Sequence, residues 1–229
     1  MKKYLLLLST TLALFIAPVI SIADVTVGVT ISSNSLDTAG KEDVDSNGTI
    51  DATKNVTDDF LVGSVFLEKT AMGDRFGITV GIDYIPFDAD IDKRSISQDA
   101  SGAAAGGASP QSSGTNSVEG TVEKHRTIYL QPGMRIGDSS MVYVTYGFVS
   151  ADLNGRSVSL SSTDINETKS LDGEKMGIGI KKVADNGFVL KLDLSETSYD
   201  AVSFTTSNNT TATADLDNTA VALSIGKQF

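Results

Sequence analysis

A stretch of acidic and amide side chains in the first third of the chain has the spacing of a calcium-binding loop. Four oxygen-bearing residues occupy positions one, three, five and nine of that pattern: Asp43, Asp45, Asn47 and Asp51. Gly48 supplies the tight turn at position six, and hard cations prefer several oxygen ligands around such a turn. Lys54 stands where a bidentate glutamate is expected at position twelve. The sequence therefore predicts a weak calcium site at these four residues, with a solvated acidic loop as the alternative, and no other cofactor.

His125 is the single histidine of the chain, and there is no cysteine. A metal site or a mechanism that needs two histidines is therefore excluded. A Ser-His-Asp triad has no support from spacing, although serine and aspartate are abundant. We predict that the protein is not an enzyme and that His125 lies at the start of a strand, near a rim.

Most of the chain alternates apolar and polar residues, which is typical of strands with one apolar face. Seven segments alternate clearly, and their apolar faces begin at Val25, Phe76, Ile128, Val142, Met176, Phe188 and Val221. An eighth segment, 59–69, is apolar on both faces, so its phase is ambiguous. We place Leu61, Val65 and Leu67 on its apolar face, which puts Glu68 on the other.

The connections between these eight strands fall into two classes. Three are short, at 70–74, 137–140 and 184–187, and four are long, at 33–58, 88–122, 151–170 and 200–213. Short and long connections alternate along the chain, which predicts an up-and-down meander with all the short turns at one end. With slightly wider bounds, the long connections hold nineteen acidic and six basic residues, so the negative charge is concentrated at the other end.

The N-terminus has the features of a secretory signal peptide. Lys2 and Lys3 precede an apolar run, and Ser21 and Ala23 offer small residues at a cleavage site. We predict a signal peptide at 1–23 and one barrel domain at 24–229. Removal of the signal peptide, with its two lysines, takes the formal net charge from −11 to −13, which argues against nucleic acid as a partner.

The two faces of the strands decide what surrounds the sheet. A soluble eight-stranded barrel turns its apolar face inward, but here the second face carries too much charge to be a surface that merely borders water. We therefore place the apolar face against lipid and predict a closed transmembrane barrel, because every backbone group in hydrocarbon must be paired. The charged residues then face the lumen: Glu68, Asp83, Arg135, Lys175, Lys181, Lys191 and Asp193.

These lumen charges have two interpretations. They could form an ion pathway, or they could pair with one another and fill the interior. An eight-stranded barrel is just wide enough for its own side chains. The internal salt bridges are therefore the favoured interpretation.

The signal peptide, the eight-strand meander and the closing strand VALSIGKQF resemble the small outer-membrane barrels of Gram-negative bacteria, of the OmpA/OmpX or opacity-protein type. The resemblance implies an all-β, eight-stranded antiparallel up-and-down transmembrane β-barrel with three short periplasmic turns and four long extracellular loops. It assigns a barrel-insertion signal to alternate residues of the last strand: Val221, Leu223, Ile225 and Phe229. Lys227 departs from an all-apolar set but lies at the rim, where a lysine can reach the interface.

The resemblance also implies a location and a set of partners. We expect a monomer in the bacterial outer membrane, in contact with outer-membrane lipid and with the barrel-assembly machinery, and with an unidentified extracellular ligand. The expected role is a structural or surface-interaction anchor that presents acidic extracellular loops. The alternative is a narrow porin-like channel for ions or small solutes.

Overall fold

A computed structural model describes residues 24–43, 46–98, 114–158, 165–205 and 211–229. These residues form ten antiparallel strand segments: β1 Asp24–Asp43, β2 Ala52–Met72, β3 Phe76–Tyr84, β4 Ala89–Gln98, β5 Gly114–Ile136, β6 Ser140–Val158, β7 Ile165–Val183, β8 Phe188–Tyr199, β9 Val202–Thr205 and β10 Thr211–Gln228. The described part of the chain contains no helix that could cross a membrane. The predicted signal peptide lies outside the described residues.

Eight of the strands close into a ring in the order β1, β2, β3, β5, β6, β7, β8, β10 and back to β1. The closing pair runs antiparallel from Thr26 opposite Gln228 to Asp43 opposite Thr211. The amide of Phe229 also donates to the carbonyl of Val25 at 2.9 Å. The predicted eight-stranded up-and-down barrel is confirmed, with β4 and β9 as additional segments outside the ring.

The three predicted short turns are confirmed, because β2–β3, β5–β6 and β7–β8 are joined by three or four residues each. The bounds of the long connections differ from the prediction. Pairing between β1 and β2 continues from the barrel to Glu42 opposite Ala52, well into the segment predicted as loop. Threonine and valine residues such as Thr53, Val56 and Thr57 suit an extended, paired backbone there. Much of each long connection is therefore strand, and the barrel wall extends beyond its apolar part.

The outward face of the ring carries an apolar belt. It consists of the outward residues of 25–31, 61–67, 76–84, 128–136, 142–148, 176–180, 188–194 and 221–225, together with Phe229. Leu61 and Leu67 are 72% and 49% exposed while Glu68 is buried, so the predicted phase of β2 is confirmed. Aromatic rings occur at both edges of the belt, with Phe76 and Phe188 at the short-turn end and Tyr84 and Phe148 at the other.

Candidate functional site in the barrel lumen

Three charged residues form a buried inner ion cluster near the short-turn end of the lumen. Glu68 lies on β2, Lys181 on β7 and Lys191 on β8. The Nζ of Lys181 donates to Glu68 Oε1 at 2.6 Å, and the Nζ of Lys191 donates to Oε2 at 2.8 Å. All three residues are 4% exposed or less. Because an unpaired buried charge is costly, these contacts hold three strands together across the barrel.

Hydroxyl and amide groups complete the hydrogen bonds of the inner ion cluster. Tyr129 donates to Glu68 Oε2 at 3.2 Å, and Lys181 donates to Thr70 Oγ1 at 3.0 Å. Lys191 also reaches the Oε1 of Gln131 at 3.5 Å. These polar groups connect the three charges, so the cluster is stabilised as a network rather than as isolated pairs.

Three aromatic rings enclose the ammonium group of Lys191. The ring centroid of Phe66 lies 5.1 Å from Nζ, and those of Tyr129 and Tyr143 each lie 5.5 Å away. These distances are within the range of cation–π attraction. The rings and the salt bridges therefore lie at the same level of the lumen. The alternation of the sequence placed Tyr129 on the lumen face but did not reveal this enclosure.

Each of these three rings lies opposite a glycine on the neighbouring strand. The register pairs are Gly28 with Phe66, Gly81 with Tyr129 and Gly179 with Tyr143. A Cβ atom added at Gly81 would lie 2.3 Å from Tyr129 Cζ, and the other two glycines are as crowded. The rings can therefore lie flat across the wall only because the opposite residue has no side chain. The sequence alone places these glycines on the lumen face. Their pairing with the aromatic rings can be recognised only once the register between the strands is known.

The remaining predicted lumen charges occupy different positions. Asp83 and Asp193 face the lumen and accept hydrogen bonds from Ser64 at 2.7 Å and from Tyr143 at 2.7 Å. Lys175 lines the same space and forms no ion pair among the described residues. Arg135 does not lie inside the lumen as predicted. It is exposed, because it lies beyond the end of the filled lumen, next to the β5–β6 turn.

A second cluster lies in the lumen beyond the belt, at the end of the barrel that carries the long connections. It was not predicted from the sequence. The outer apolar cluster consists of Ala151, Leu153, Leu171, Val202 and Leu216, all 8% exposed or less. Partly buried residues from β1 and β5, Leu36 and Val122, pack against it. The apolar residues therefore point inward here, whereas they point outward in the belt. This inversion is expected where the wall passes from lipid into water.

A cavity of about 620 Å³ lies between the two clusters. Lys191 and Tyr129 line it on one side, and Leu153, Leu171 and Leu216 line it on the other. Volumes of roughly 300–1,000 Å³ are typical of pockets for small molecules. The lumen is therefore neither completely filled nor an open passage among the described residues.

His125 lies in the wall of this cavity, beyond the apolar belt. Its Nε2 lies 3.1 Å from the hydroxyl of Tyr199, while its Nδ1 is buried and has no hydrogen-bond partner. Burial, together with the charge of Lys175, lowers the pKa of His125 to about 4, and burial raises the pKa of Tyr199 to about 12. Both side chains are therefore neutral near pH 7.

The predicted calcium residues lie at the tip of the β1–β2 hairpin, where Asp45 is outside the described residues. Asp43 accepts backbone hydrogen bonds from Asn47 at 3.0 Å and Gly48 at 2.8 Å, and Asn47 accepts one from Thr49. These bonds close a tight turn in which Gly48 has a positive φ of 86°. The described residues contain no group of three acidic or histidine side chains placed to hold a metal ion. Calcium binding by Asp43, Asp45, Asn47 and Asp51 stays a prediction.

The residues of the predicted insertion signal share one face of β10. Val221, Leu223 and Ile225 are each about half exposed on the outward face, and Phe229 is 77% exposed. The Nζ of Lys227 donates to the carbonyl of Asn186 in the β7–β8 turn. Lys227 therefore closes a turn at the rim while the apolar residues of the strand form part of the belt.

The fold is similar to that of solved outer-membrane proteins. The outer membrane protein OprG from Pseudomonas aeruginosa matches with a TM-score of 0.56 at 13% identity, over 91% of this chain and 96% of that one. The outer membrane protease OmpT from Escherichia coli matches with a TM-score of 0.50 at 8% identity, over 91% of this chain and 97% of that one. No protein-family model and no curated protein sequence matches the chain. The closed ring and these likenesses show that the chain has the fold of the small outer-membrane β-barrel proteins.

Proposed function

We propose that the chain is an integral protein of the bacterial outer membrane, whose barrel is an anchor for acidic hairpins at the cell surface. The apolar belt supports the membrane location, because about half of the surface of residues such as Leu192 and Leu223 is exposed on a charge-poor face. The excess negative charge lies on the hairpins beyond the belt. The described arms of these hairpins are continuous with the barrel strands, so the barrel anchors the hairpins at their bases.

The observation that carries the anchor role is the inner ion cluster. Glu68, Lys181 and Lys191 bridge the lumen with contacts of 2.6 and 2.8 Å, and three aromatic rings enclose the ammonium group of Lys191. A passing ion would have to displace these buried, mutually neutralising groups. The lumen charges thus favour a plugged barrel over an ion pathway.

Conductance across a planar lipid bilayer tests this proposal. The refolded mature protein is added to one side, and current is recorded at both signs of voltage in dilute and concentrated salt. We expect no discrete steps above those of the protein-free bilayer. Reproducible single-channel steps from the parent protein would contradict the anchor role.

The second candidate is a narrow channel for ions or small solutes, and the cavity of about 620 Å³ is the observation that favours it. Movement of the aromatic rings around Lys191 would be needed to connect this cavity to the short-turn end. Channel activity would therefore appear as rare, voltage-dependent openings. The same bilayer recording distinguishes this behaviour from a permanently closed barrel.

We also propose export through a signal peptide at 1–23, cleaved before Asp24, and insertion by the barrel-assembly machinery through Val221, Leu223, Ile225 and Phe229. An extended C-terminal strand with alternating apolar residues suits recognition at an exposed sheet edge. Phe229→Ser should lower the amount of inserted protein in cells while changing the stability of refolded protein little. Phe188→Ser, at the same rim but within the chain, is the matched control. Equal abundance of both variants and the parent would contradict recognition of Phe229.

We propose finally that the barrel is monomeric and not an enzyme. The environment of His125 supports the second point, because its Nε2 contacts the hydroxyl of Tyr199 rather than a serine or a carboxylate. The molar mass of the protein in detergent, after subtraction of the bound detergent, tests the first. A mass of two or more chains would contradict it.

A further inference from the structure

The barrel wall has a gap next to the cavity. Pairing between β2 and β3 begins only at Val65 opposite Tyr84, and β4 pairs with β5. The amide of Ile85 donates to the carbonyl of His125 at 3.0 Å, which holds this end of the 85–88 segment on β5. Among the described residues, the edge of β2 at 59–64 therefore has no strand beside it on that side. Unpaired backbone groups are not tolerated in hydrocarbon, so this gap must meet water or a polar ligand.

The gap is the lateral mouth of the cavity. Residues on both of its sides line the cavity, including Phe60 and Leu61 on β2 and Phe87 on the facing segment. Leu61 and Phe87 are both 72% exposed. Residues of the outer apolar cluster and of the inner ion cluster line the cavity in the two directions along the barrel. A molecule would thus enter from the side, at the upper edge of the apolar belt, past an apolar rim.

The charges along this route are predominantly acidic. Asp58, Asp59 and Asp88 line the mouth, and Asp83 and Asp193 lie deeper in the cavity. The two deeper carboxylates accept hydrogen bonds only from the hydroxyls of Ser64 and Tyr143 and form no salt bridge among the described residues. Acidic walls attract cations and raise their local concentration. Among the described residues that line the cavity, Lys175 is the one cation outside the inner ion cluster, and it opposes this preference.

An unsatisfied atom provides independent support for a ligand. The Nδ1 of His125 is buried in the cavity wall and has no hydrogen-bond partner among the residues that the structure describes. When Nε2 carries the proton and donates to Tyr199, Nδ1 offers a lone pair to an N–H donor. Buried polar atoms without partners are uncommon in native structures. An ammonium group in the cavity could donate to this nitrogen.

From the lateral mouth, the acidic lining and the unsatisfied imidazole nitrogen, we propose that the cavity binds a small amphipathic cation with an ammonium head and an apolar body. The head lies near Asp83 and Asp193, and the body lies against Leu153, Leu171 and Leu216. This inference goes beyond the anchor role. Ligand binding requires the cavity and its mouth, and it does not depend on whether the barrel conducts ions.

Binding of three eight-carbon probes with different head groups tests this proposal. Octylamine, octanoate and octanol are titrated into the mature protein in lipid nanodiscs, and the methyl signal of Ala222, which lines the cavity, is followed by NMR. This signal reports the cavity itself and not partitioning into lipid. We expect octylamine to saturate the shift at a concentration at least tenfold lower than either other probe. Tighter binding of octanoate, equal binding of octanol or no saturable shift would overturn the proposal.

Variants of the charged residues sharpen the test. Asp83→Asn with Asp193→Asn should weaken octylamine binding at least tenfold, while each amide oxygen can still accept the existing hydrogen bond. Asp138→Asn, in the exposed β5–β6 turn, removes the same charge outside the cavity and should leave binding unchanged. Lys175→Met should tighten octylamine binding. This result is informative even if the double aspartate variant does not fold. Unchanged affinity in both would contradict the assigned head-group site.

Blocking the mouth tests the route of entry. A Cβ atom at Gly63 would meet nothing within 4 Å, so Gly63→Trp should fold with its indole at the gap. We expect slower octylamine exchange in Gly63→Trp than in Ser33→Trp, which adds the same ring to the outer face of β1. Equal exchange rates would exclude entry through this gap.

Discussion

The membrane part of the barrel and its extension beyond the belt are built from the same strands, but the apolar residues lie on opposite faces in the two parts. Along β6, Val144, Tyr146 and Phe148 point outward and are exposed, and then Val149, Ala151 and Leu153 point inward and are buried. The backbone pairing continues without a change of partner from β6 to β7. The surroundings of the wall, and not the strand pairing, therefore decide which face is apolar. In lipid the lumen holds charges, and in water it holds a hydrophobic core.

The largest expected effect comes from removing the shared partner of two buried lysines. Glu68→Gln leaves Lys181 and Lys191 buried without a carboxylate, and breaking a buried pair in this way costs about 3–5 kcal/mol. Urea unfolding of refolded protein in lipid vesicles measures this free energy. Glu42→Gln, on an exposed part of β1, should change it by less than about 0.5 kcal/mol. Similar values for both variants would show that the inner ion cluster does not stabilise the barrel.

The next effect tests the outward face of the belt. Leu192→Arg places a charge in the middle of the apolar belt and should cost about 2–4 kcal/mol of unfolding free energy. Glu196→Arg is the matched control, because this residue lies on the same face of β8 but beyond the belt. The same vesicle unfolding experiment compares them. A larger loss of unfolding free energy in Glu196→Arg than in Leu192→Arg would show that lipid does not surround the barrel at the level of Leu192.

A smaller effect is expected from the core above the belt. Leu171→Ala removes a buried side chain from the outer apolar cluster and should cost about 2 kcal/mol, since a cavity remains where no lipid can enter. Leu190→Ala in the belt should cost less, because lipid tails can fill the space. Hydrogen exchange of the β6 and β7 amides beyond the belt gives a local measure. Equal protection in both variants would contradict a packed core in this region.

The smallest effect concerns pH. The pKa of His125 is lowered to about 4 in the folded protein, below its unfolded value of about 6.5. The unfolded chain therefore binds a proton first, so stability is complete above pH 6.5 and decreases as the pH falls toward 4. We expect a loss of about 1–2 kcal/mol over this window, absent in His125→Gln. An NMR titration of the single histidine that gives a pKa near 6.5 would contradict its burial.

The alternation of the sequence was sufficient to predict the belt, the strand order and the short turns. Even the ambiguous second strand was placed correctly, because the phase with Leu61 and Leu67 outward was the one that put Glu68 in the lumen. Alternation has the same period throughout a barrel, so it describes the wall well wherever one face meets lipid.

Two features could not be predicted in the same way. The enclosure of Lys191 depends on the register that sets Gly81 opposite Tyr129, and register is not visible in one strand alone. The outer apolar cluster was missed because its residues change phase within a strand, as between Phe148 and Val149. That change was present in the sequence, and its position marks the edge of the belt.

A single-cysteine scan of β6 tests most directly whether the apolar face of the strand changes from outward to inward at the edge of the membrane. The natural chain has no cysteine, so each residue from Val142 to Leu153 can be replaced and labelled with a polarity-sensitive fluorophore after refolding in vesicles. We expect brominated lipid to quench the outward labels at 142, 144, 146 and 148, but neither the outward labels at 150 and 152 nor the inward labels at 149, 151 and 153. Quenching that continues at 150 and 152, or that is absent from the even positions of the belt, would contradict the inversion.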